Sequence, residues 1–388
     1  MGRRIGQVML NAWIGVGITL LILSLLEGVT RVGIAARARW TSAAVPAAAD
    51  VLPVADAAPL PAWAAEYNRE DEDSSQVEWR PYVYWRRKPY RGTYINVNAA
   101  GIRRTWNRTA SASPTQLKIA MLGGSMMWGM GARDEFTIPS LVSKKLPGRL
   151  SPGVWVTNFA EIGYVSTQEV IGLVRELQSG HVPDVVVFLD GVNDTGAAFQ
   201  SGVASIPYGE QNRTTEFNSR TRLNFVEGFL KHLALYRLSQ RTTGFVRGQR
   251  FEHAPLLRAG ISNDVVAAYL WNVAIVTALA NDFGFRAFFF WQPTVFSKKR
   301  LSPWEHRVAE RFQRRYPTAV PFYNDVYRIL GERVRTGSPA NVYDLSSVFD
   351  EEPGTMFFDP IHLLEEGNDK IADAIVQALL KAGPLERR

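Results

Sequence analysis

Residues 117–129, LKIAMLGGSMMWG, decide the fold predicted for this chain. A short apolar run ends in two glycines and a serine, which is typical of a buried strand that turns sharply into a helix. Three similar apolar runs follow: VWVTNFA at 154–160, DVVVFLDG at 184–191 and FRAFFFWQP at 285–293. Helical segments separate these runs. The sequence therefore predicts an α/β fold, a three-layer sandwich whose mainly parallel sheet has helices on both faces.

The composition of the 388 residues excludes several classes of site. The net charge of +7 is spread over Arg-rich patches, so we expect no nucleic-acid partner. Anionic lipid and an acidic polymer are the alternative binding partners for these patches. The absence of cysteine excludes disulfides, thiolate metal sites and a cysteine nucleophile. The five histidines show no H-x-x-x-H spacing, and no third carboxylate follows Asp190 and Asp194 at a useful spacing. Neither a metal nor a cofactor is predicted.

Residues 1–40 predict a membrane anchor. From Val8 to Leu26 there are 19 residues without a charge, enough for one transmembrane helix at a rise of about 1.5 Å per residue. A cleaved signal peptide is the alternative, because two arginines precede the apolar block. However, the block exceeds a usual signal-peptide core, and Glu27 follows it in place of a small-residue cleavage site. We expect a single-pass inner-membrane protein with a cytoplasmic N-terminus and a periplasmic C-terminal domain.

Composition divides the rest of the chain into three parts. Residues 41–77 are rich in Ala and Pro and are predicted to form a tether. Residues 78–116 are rich in Trp, Tyr and Arg; they predict a β-rich flap on the flank of the domain, with a carbohydrate-binding strip as the alternative. Residues 117–388 are predicted to form the α/β domain. A polar insertion at about 202–257 interrupts it and is a candidate lid or partner surface.

Four short signatures lie where an open α/β sheet forms its ligand crevice. Ser125 follows the glycines of the first run, in a turn whose N–H groups can face an anion; a structural turn is the alternative. Gly163 and Asn193 follow the second and third runs, where each could donate an amide N–H to a ligand. The alternatives are a plain turn glycine for Gly163 and an Asx turn or helix cap for Asn193. Asp359 precedes His362 by three residues, so its carboxylate can hold the imidazole Nδ1–H; a surface or capping histidine is the alternative.

In this order, the four signatures resemble the SGNH hydrolases, also called GDSL-like lipases and esterases. The resemblance runs over about residues 117–382, excluding the insertion. It implies an SGNH or flavodoxin-like fold and a serine hydrolase whose catalytic residues are Ser125, Asp359 and His362. A membrane anchor, a tether and a segment such as NVNAAGIRR are familiar in exported bacterial members of this family.

The same resemblance implies an oxyanion hole. Its donors would be the backbone amides of Ser125 and Gly163 and the side chain of Asn193. One residue departs from the family pattern, because Gly124 stands where the Gly-Asp-Ser motif has its acid. Related membrane-anchored groups also carry Gly-Gly-Ser.

Two functions of different classes follow from these residues. The first is a membrane-anchored serine esterase or O-acyl transferase that acts on an envelope glycan or lipid ester. The alternative is a catalytically inactive SGNH-fold subunit of a membrane complex, which would dock through the N-terminal helix or the insertion at 202–257. His181, His232 and His306 are predicted to be surface or core residues rather than catalytic ones.

Overall fold

The computed structural model describes residues 2–42, 63–113, 115–146, 153–214, 217, 260–337, 339, 341–383 and 385. The chain divides into two compact units: residues 48–210 and 254–388 form the unit that carries the sheet, and the N-terminal helix belongs to the other. Most of the predicted tether and most of the predicted insertion lie outside the described residues, so their boundaries stay predictions.

Strands and helices alternate along the second half of the described chain, as the sequence predicts. In chain order the elements are α1 (Gly2–Ser42), α2 (Ala64–Asp73), β1 (Val77–Arg80), β2 (Tyr84–Arg87), β3 (Tyr90–Arg91), β4 (Asn96–Val97), β5 (Leu117–Gly123), α3 (Ser125–Trp128), α4 (Ile138–Lys145), β6 (Val154–Asn158), α5 (Ser166–Gln178), β7 (Val185–Asp190), α6 (Val192–Ser201), α7 (Ile261–Phe283), β8 (Arg286–Trp291), α8 (Pro303–Arg315), α9 (Ala319–Arg335), β9 (Val342–Asp344) and α10 (Glu365–Lys381).

A five-stranded parallel sheet, in the order β6-β5-β7-β8-β9, forms the centre of its unit. The four predicted apolar runs supply β5 to β8, and the predicted α/β sandwich is confirmed. Strand β9 was not predicted, because it has only three residues and one buried side chain. Strand β5 is the first of these strands in the chain and the second in the sheet, with β6 on one side of it and β7, β8 and β9 on the other. In sheets with such a change in winding order, the ligand crevice lies at the carboxyl ends of the strands.

Alternating side chains of each strand supply two separate hydrophobic cores. On one face, Ile119 and Met121 of β5 pack with residues of α4 and α10. On the other face, Ala120 and Leu122 pack with residues of α5, α7 and α9. All residues of the central strand β7 are buried, which explains its unbroken apolar sequence.

The flap consists of two short antiparallel hairpins, β1–β2 and β3–β4. Helix α2 precedes it, within the stretch predicted as a tether. This helix buries Tyr67, and its Glu70 carboxylate accepts backbone N–H groups from Thr93, Tyr94 and Ile95. Residues 64–73 are thus part of the folded unit, because one aromatic anchor and one carboxylate tie an otherwise polar helix to the flap.

Two described helices are long and apolar enough, by length and composition, to cross a membrane. One is α7, which buries Val265, Tyr269 and Val273 in the core beside the sheet. The other is the stretch Trp13–Arg31 within α1, which overlaps the predicted span Val8–Leu26. Helix α1 is therefore the candidate anchor.

Candidate active site

Ser125 begins α3 directly after β5, at the carboxyl edge of the sheet. Its Oγ lies 2.7 Å from His362 Nε2, and His362 Nδ1 lies 2.6 Å from Asp359 Oδ2. A carboxylate only accepts hydrogen bonds, so Nδ1 carries the ring proton and Nε2 is free to accept the serine hydroxyl. The three residues predicted from the sequence therefore form one continuous hydrogen-bonded chain.

Asp359 is fixed by its own loop. Its Oδ1 accepts the backbone N–H groups of Ile361 at 2.8 Å and His362 at 2.7 Å, which leaves Oδ2 for the ring. Burial by itself would raise the pKa of the Asp359 carboxyl, but the His362 ring and these N–H donors hold the pKa below its ordinary value. The carboxylate thus stays charged and can stabilise an imidazolium.

A buried ion pair supports the chain that leads into this loop. Lys298 Nζ donates to Glu305 Oε2 at 2.6 Å, and both side chains are fully buried. The other oxygen of Glu305 accepts the backbone N–H groups of Met356 and Phe357. Phe358 then stacks on the His362 ring at 5.6 Å between centroids. Glu305 of α8 thus fixes the backbone before Phe358, and Phe358 in turn packs against the ring of His362.

The residues proposed as oxyanion donors come from three strand ends that meet beside Ser125. The Asn193 amide donates to Tyr164 O at 2.7 Å, which ties the end of β7 to the loop after β6. The amide has two N–H groups, so one remains to face a ligand. Gly163 has a φ of +78°, a conformation that glycine adopts without strain.

The structure gives a reason for the departure at Gly124. A Cβ at this position would lie 2.1 Å from Asn193 Nδ2 and 3.5 Å from Tyr164 O. No side chain fits there while Asn193 keeps its position. Glycine before the serine is thus a packing requirement of the amide donor, rather than a sign of a lost function.

The flap holds the loop that contains Gly163. Trp85 Nε1 donates to Ile162 O at 3.0 Å, and Arg86 Nη1 donates to Phe159 O at 2.8 Å. The backbone N–H of Arg87 donates to Glu161 Oε2 at 2.8 Å. The flap therefore packs against the loop after β6 and fixes the position of the segment that contains Gly163.

Two arginines also fix the turn that carries Ser125. The buried ring of Trp128 lies between the guanidinium groups of Arg87 and Arg103, at 4.3 and 4.2 Å from the ring centroid. Arg103 also donates to the backbone oxygens of the turn that follows α3 and to Asp134 at 2.9 Å. We call this group the arginine cluster; its members are Arg87, Arg103, Asp134 and Glu161.

A second buried polar group lies behind the Asn193 turn and was missed from the sequence. We call it the carboxyl cluster; its members are Glu169, Asp190 and Asp194. Glu169 and Asp190 interact electrostatically, and all four of their carboxyl oxygens are buried without a hydrogen-bond partner among the described residues. Asp194 Oδ1 accepts the Ser166 hydroxyl at 2.5 Å. Burial raises the pKa of Asp190 to about 8, that of Asp194 to about 6, and that of Glu169 well above its ordinary value.

The sequence contained a signal for this cluster. Asp190 ends an otherwise apolar strand, and its partner Glu169 lies before it in the chain, on α5. Carboxylates that follow Asp190 and Asp194 in the sequence therefore do not reveal the cluster. Within the described ranges, no group of three or more acidic or histidine side chains is arranged to hold a metal ion. His181 is exposed beside Glu176, His306 is exposed on α8, and His232 lies outside the described residues.

Comparison with known proteins finds only distant structural likenesses. No protein-family model matches the sequence, and no curated protein matches it. A lipolytic protein of the G-D-S-L family from Desulfitobacterium hafniense is 8% identical, with a TM-score of 0.38 over 68% of this chain and 100% of that one. A GDSL-like lipase from Bacteroides thetaiotaomicron is 13% identical, with a TM-score of 0.36 over 70% and 93%. The acetyl xylan esterase AlAXEase is 14% identical, with a TM-score of 0.34 over 69% and 100%.

At such low sequence identity, only the site itself indicates the chemistry. The parallel sheet has helices on both of its faces. Ser125 contacts His362, and His362 contacts Asp359, at the carboxyl edge of this sheet. The fold and the positions of these three residues are those that the sequence resemblance to SGNH hydrolases implies.

Proposed function

We propose that this protein is a serine esterase, anchored to the inner membrane by α1, that acts on an ester of an envelope glycan or lipid. The observation that carries the proposal is the 2.7 Å contact between Ser125 Oγ and His362 Nε2, in line with the 2.6 Å contact to Asp359. A serine hydroxyl is a weak nucleophile until a base removes its proton, and this geometry supplies the base and its orienter.

The reaction would run in two steps. Ser125 Oγ attacks the ester carbonyl while His362 takes its proton, and the tetrahedral intermediate collapses as His362 returns the proton to the leaving alcohol. Water, deprotonated by the same ring, then releases the acid. If another hydroxyl replaces water in the second step, the product is a transferred acyl group, so esterase and O-acyl transferase share this site.

The negative oxygen of the intermediate needs donors that are already in place. The amides of Ser125 and Gly163 and the side chain of Asn193 would supply them. Their positions are held by the Asn193–Tyr164 hydrogen bond and by the flap. Loss of one such donor typically lowers turnover by about 10² to 10³.

Gly124 is compatible with an active enzyme. Its missing side chain makes room for Asn193 Nδ2, the atom that would bind the oxyanion. The contact of Ser125 with His362 and Asp359 is the observation that favours catalysis over an inactive subunit.

Replacing the nucleophile tests this function. We expect Ser125→Ala in the full chain, purified in detergent, to abolish hydrolysis of p-nitrophenyl acetate, because no other hydroxyl contacts His362 Nε2 among the described residues. The melting temperature should stay close to that of the wild type, since only one oxygen is removed. Ser347→Ala, at an exposed serine, is the matched control and should keep full activity.

Undiminished hydrolysis by Ser125→Ala would contradict the proposal. Addition of an alcohol as a second acceptor separates the two chemistries, because an acyl transferase yields the new ester faster than the free acid.

A further inference from the structure

An open groove of about 720 Å³ lies away from the Ser125 site, over one face of the edge strand β6. Its floor is formed by Trp155, Thr157 and Phe159, alternate residues that share one face of the strand. Helix α5 forms one wall, and the flap forms the other through Val83 and Arg86. Because α5 packs over β5, this face of β6 has no helix of its own among the described residues.

The groove is lined by cations in excess. Its basic residues are Arg80, Arg86, Lys118 and Arg175, of which Arg80 pairs with Glu78 at 2.6 Å, and its acidic residues are Glu169 and Glu176. Glu169 belongs to the carboxyl cluster, where burial raises its pKa well above the ordinary value. Glu176 already contacts His181 at 3.1 Å. The lining therefore attracts an anion.

One exposed aromatic ring stands beside the groove. Tyr82, in the turn between β1 and β2, is 72% exposed. The Arg175 guanidinium, from the opposite wall, lies 5.4 Å from the Tyr82 ring. Tyr82 and Tyr84 have φ values of 71° and 75°, in the left-handed region that residues other than glycine rarely adopt. Such strain is typical of functional positions.

The shape and chemistry select one kind of occupant. Strand β6 gives the floor a length of about 16 Å at about 3.3 Å per residue, so the occupant is extended. Flat apolar rings bind the ring faces of sugars, and guanidinium groups bind carboxylates in a bidentate manner. An acyl chain would need an enclosed sleeve in place of an open, cation-lined groove.

We propose that this groove binds a polysaccharide whose sugars carry carboxylates. The carbohydrate-binding alternative for the flap thus applies to the β1–β2 hairpin and its groove. Tyr164 lines the inner end of the groove, and its carbonyl accepts the Asn193 amide at 2.7 Å. The groove therefore leads toward the oxyanion segments; its role in presenting acylated sugars to Ser125 rests on the proposed function.

Calorimetric titration of the full chain in detergent tests this site without any need for catalysis. The probe is a galacturonic-acid oligosaccharide, with the neutral galactose oligosaccharide as its counterpart. We expect the acidic sugar to bind and the neutral sugar to bind far more weakly. Added salt should weaken the binding of the acidic sugar, because it screens the attraction between charges. Lys118→Ala and Arg175→Ala should each raise its Kd by about tenfold or more.

Two further variants separate this site from the esterase. Ser125→Ala should bind the acidic sugar as the wild type does, so a failed esterase proposal leaves this result unchanged. Arg328→Ala removes an exposed arginine on α9 and is the matched control, with no expected change in Kd. Equal binding of both sugars, no binding of either, or equal weakening by Arg328→Ala would overturn the proposal. Binding of a soluble short-chain phosphatidylglycerol in place of the sugar would overturn it in favour of lipid.

Discussion

The arginine cluster and the carboxyl cluster both border the segments that carry the proposed oxyanion donors. They differ in what surrounds their buried acidic side chains. In the arginine cluster each carboxylate contacts a guanidinium. In the carboxyl cluster no described Arg, Lys or His side chain pairs with the acids, and Glu169 and Asp190 influence each other electrostatically. Burial raises the pKa of the acids in both clusters, but only in the arginine cluster do neighbouring guanidinium groups lower that pKa in turn. The first cluster should therefore be sensitive to loss of a partner, and the second to pH.

Removal of one cation should have the largest effect. Arg103→Ala leaves Asp134 buried without its 2.9 Å partner and removes one face of the Trp128 contact. We expect the free energy of unfolding to fall by about 3–5 kcal/mol, measured by urea unfolding of the full chain in detergent. Arg103→Lys keeps the charge and should recover part of the loss. A loss below about 1 kcal/mol would show that the cluster does not hold the turn of Ser125.

The carboxyl cluster should make stability depend on pH. A carboxyl with a raised pKa binds its proton more tightly in the folded chain than in the unfolded chain, so its contribution is complete at low pH and is lost as pH rises. With the pKa of Asp190 at about 8, stability should fall between about pH 5 and pH 8. One proton contributes a slope of about 1.4 kcal/mol per pH unit.

Glu169→Gln tests the origin of that slope. The amide keeps the size and shape of the side chain but removes one titratable group from the buried cluster. Urea unfolding at several pH values should then show a shallower slope, by about one proton. A slope identical to that of the wild type would mean that the pH dependence arises elsewhere.

An exposed ion pair should show the smallest effect. Arg328 contacts Asp325 at 2.6 Å and Glu332 at 2.9 Å, but all three side chains are about half exposed. Solvent and salt screen such pairs, so Arg328→Ala should change the free energy of unfolding by less than about 1 kcal/mol. A loss as large as that of Arg103→Ala would remove the distinction between buried and exposed charge on which the comparison depends.

The sequence predicted the parts of the molecule that depend on local pattern. Apolar runs marked strands β5 to β8, and the order of four short signatures marked Ser125, Gly163, Asn193 and the Asp359–His362 pair. Contacts between distant segments left no local pattern. Arg87 and Glu161 are 74 residues apart, and neither residue alone indicates a partner. The role of Gly124 also needed coordinates, because only they show Asn193 above it.

The most direct test of the central claim, that Ser125 is an activated nucleophile, is covalent labelling. The full chain in detergent is treated with a fluorophosphonate probe, and the modified residue is located by mass spectrometry. We predict that the adduct forms on Ser125 in the wild type and that His362→Ala, which removes the base at 2.7 Å, labels far more slowly. An unmodified Ser125 in a folded wild-type chain, or labelling that is independent of His362, would contradict the claim.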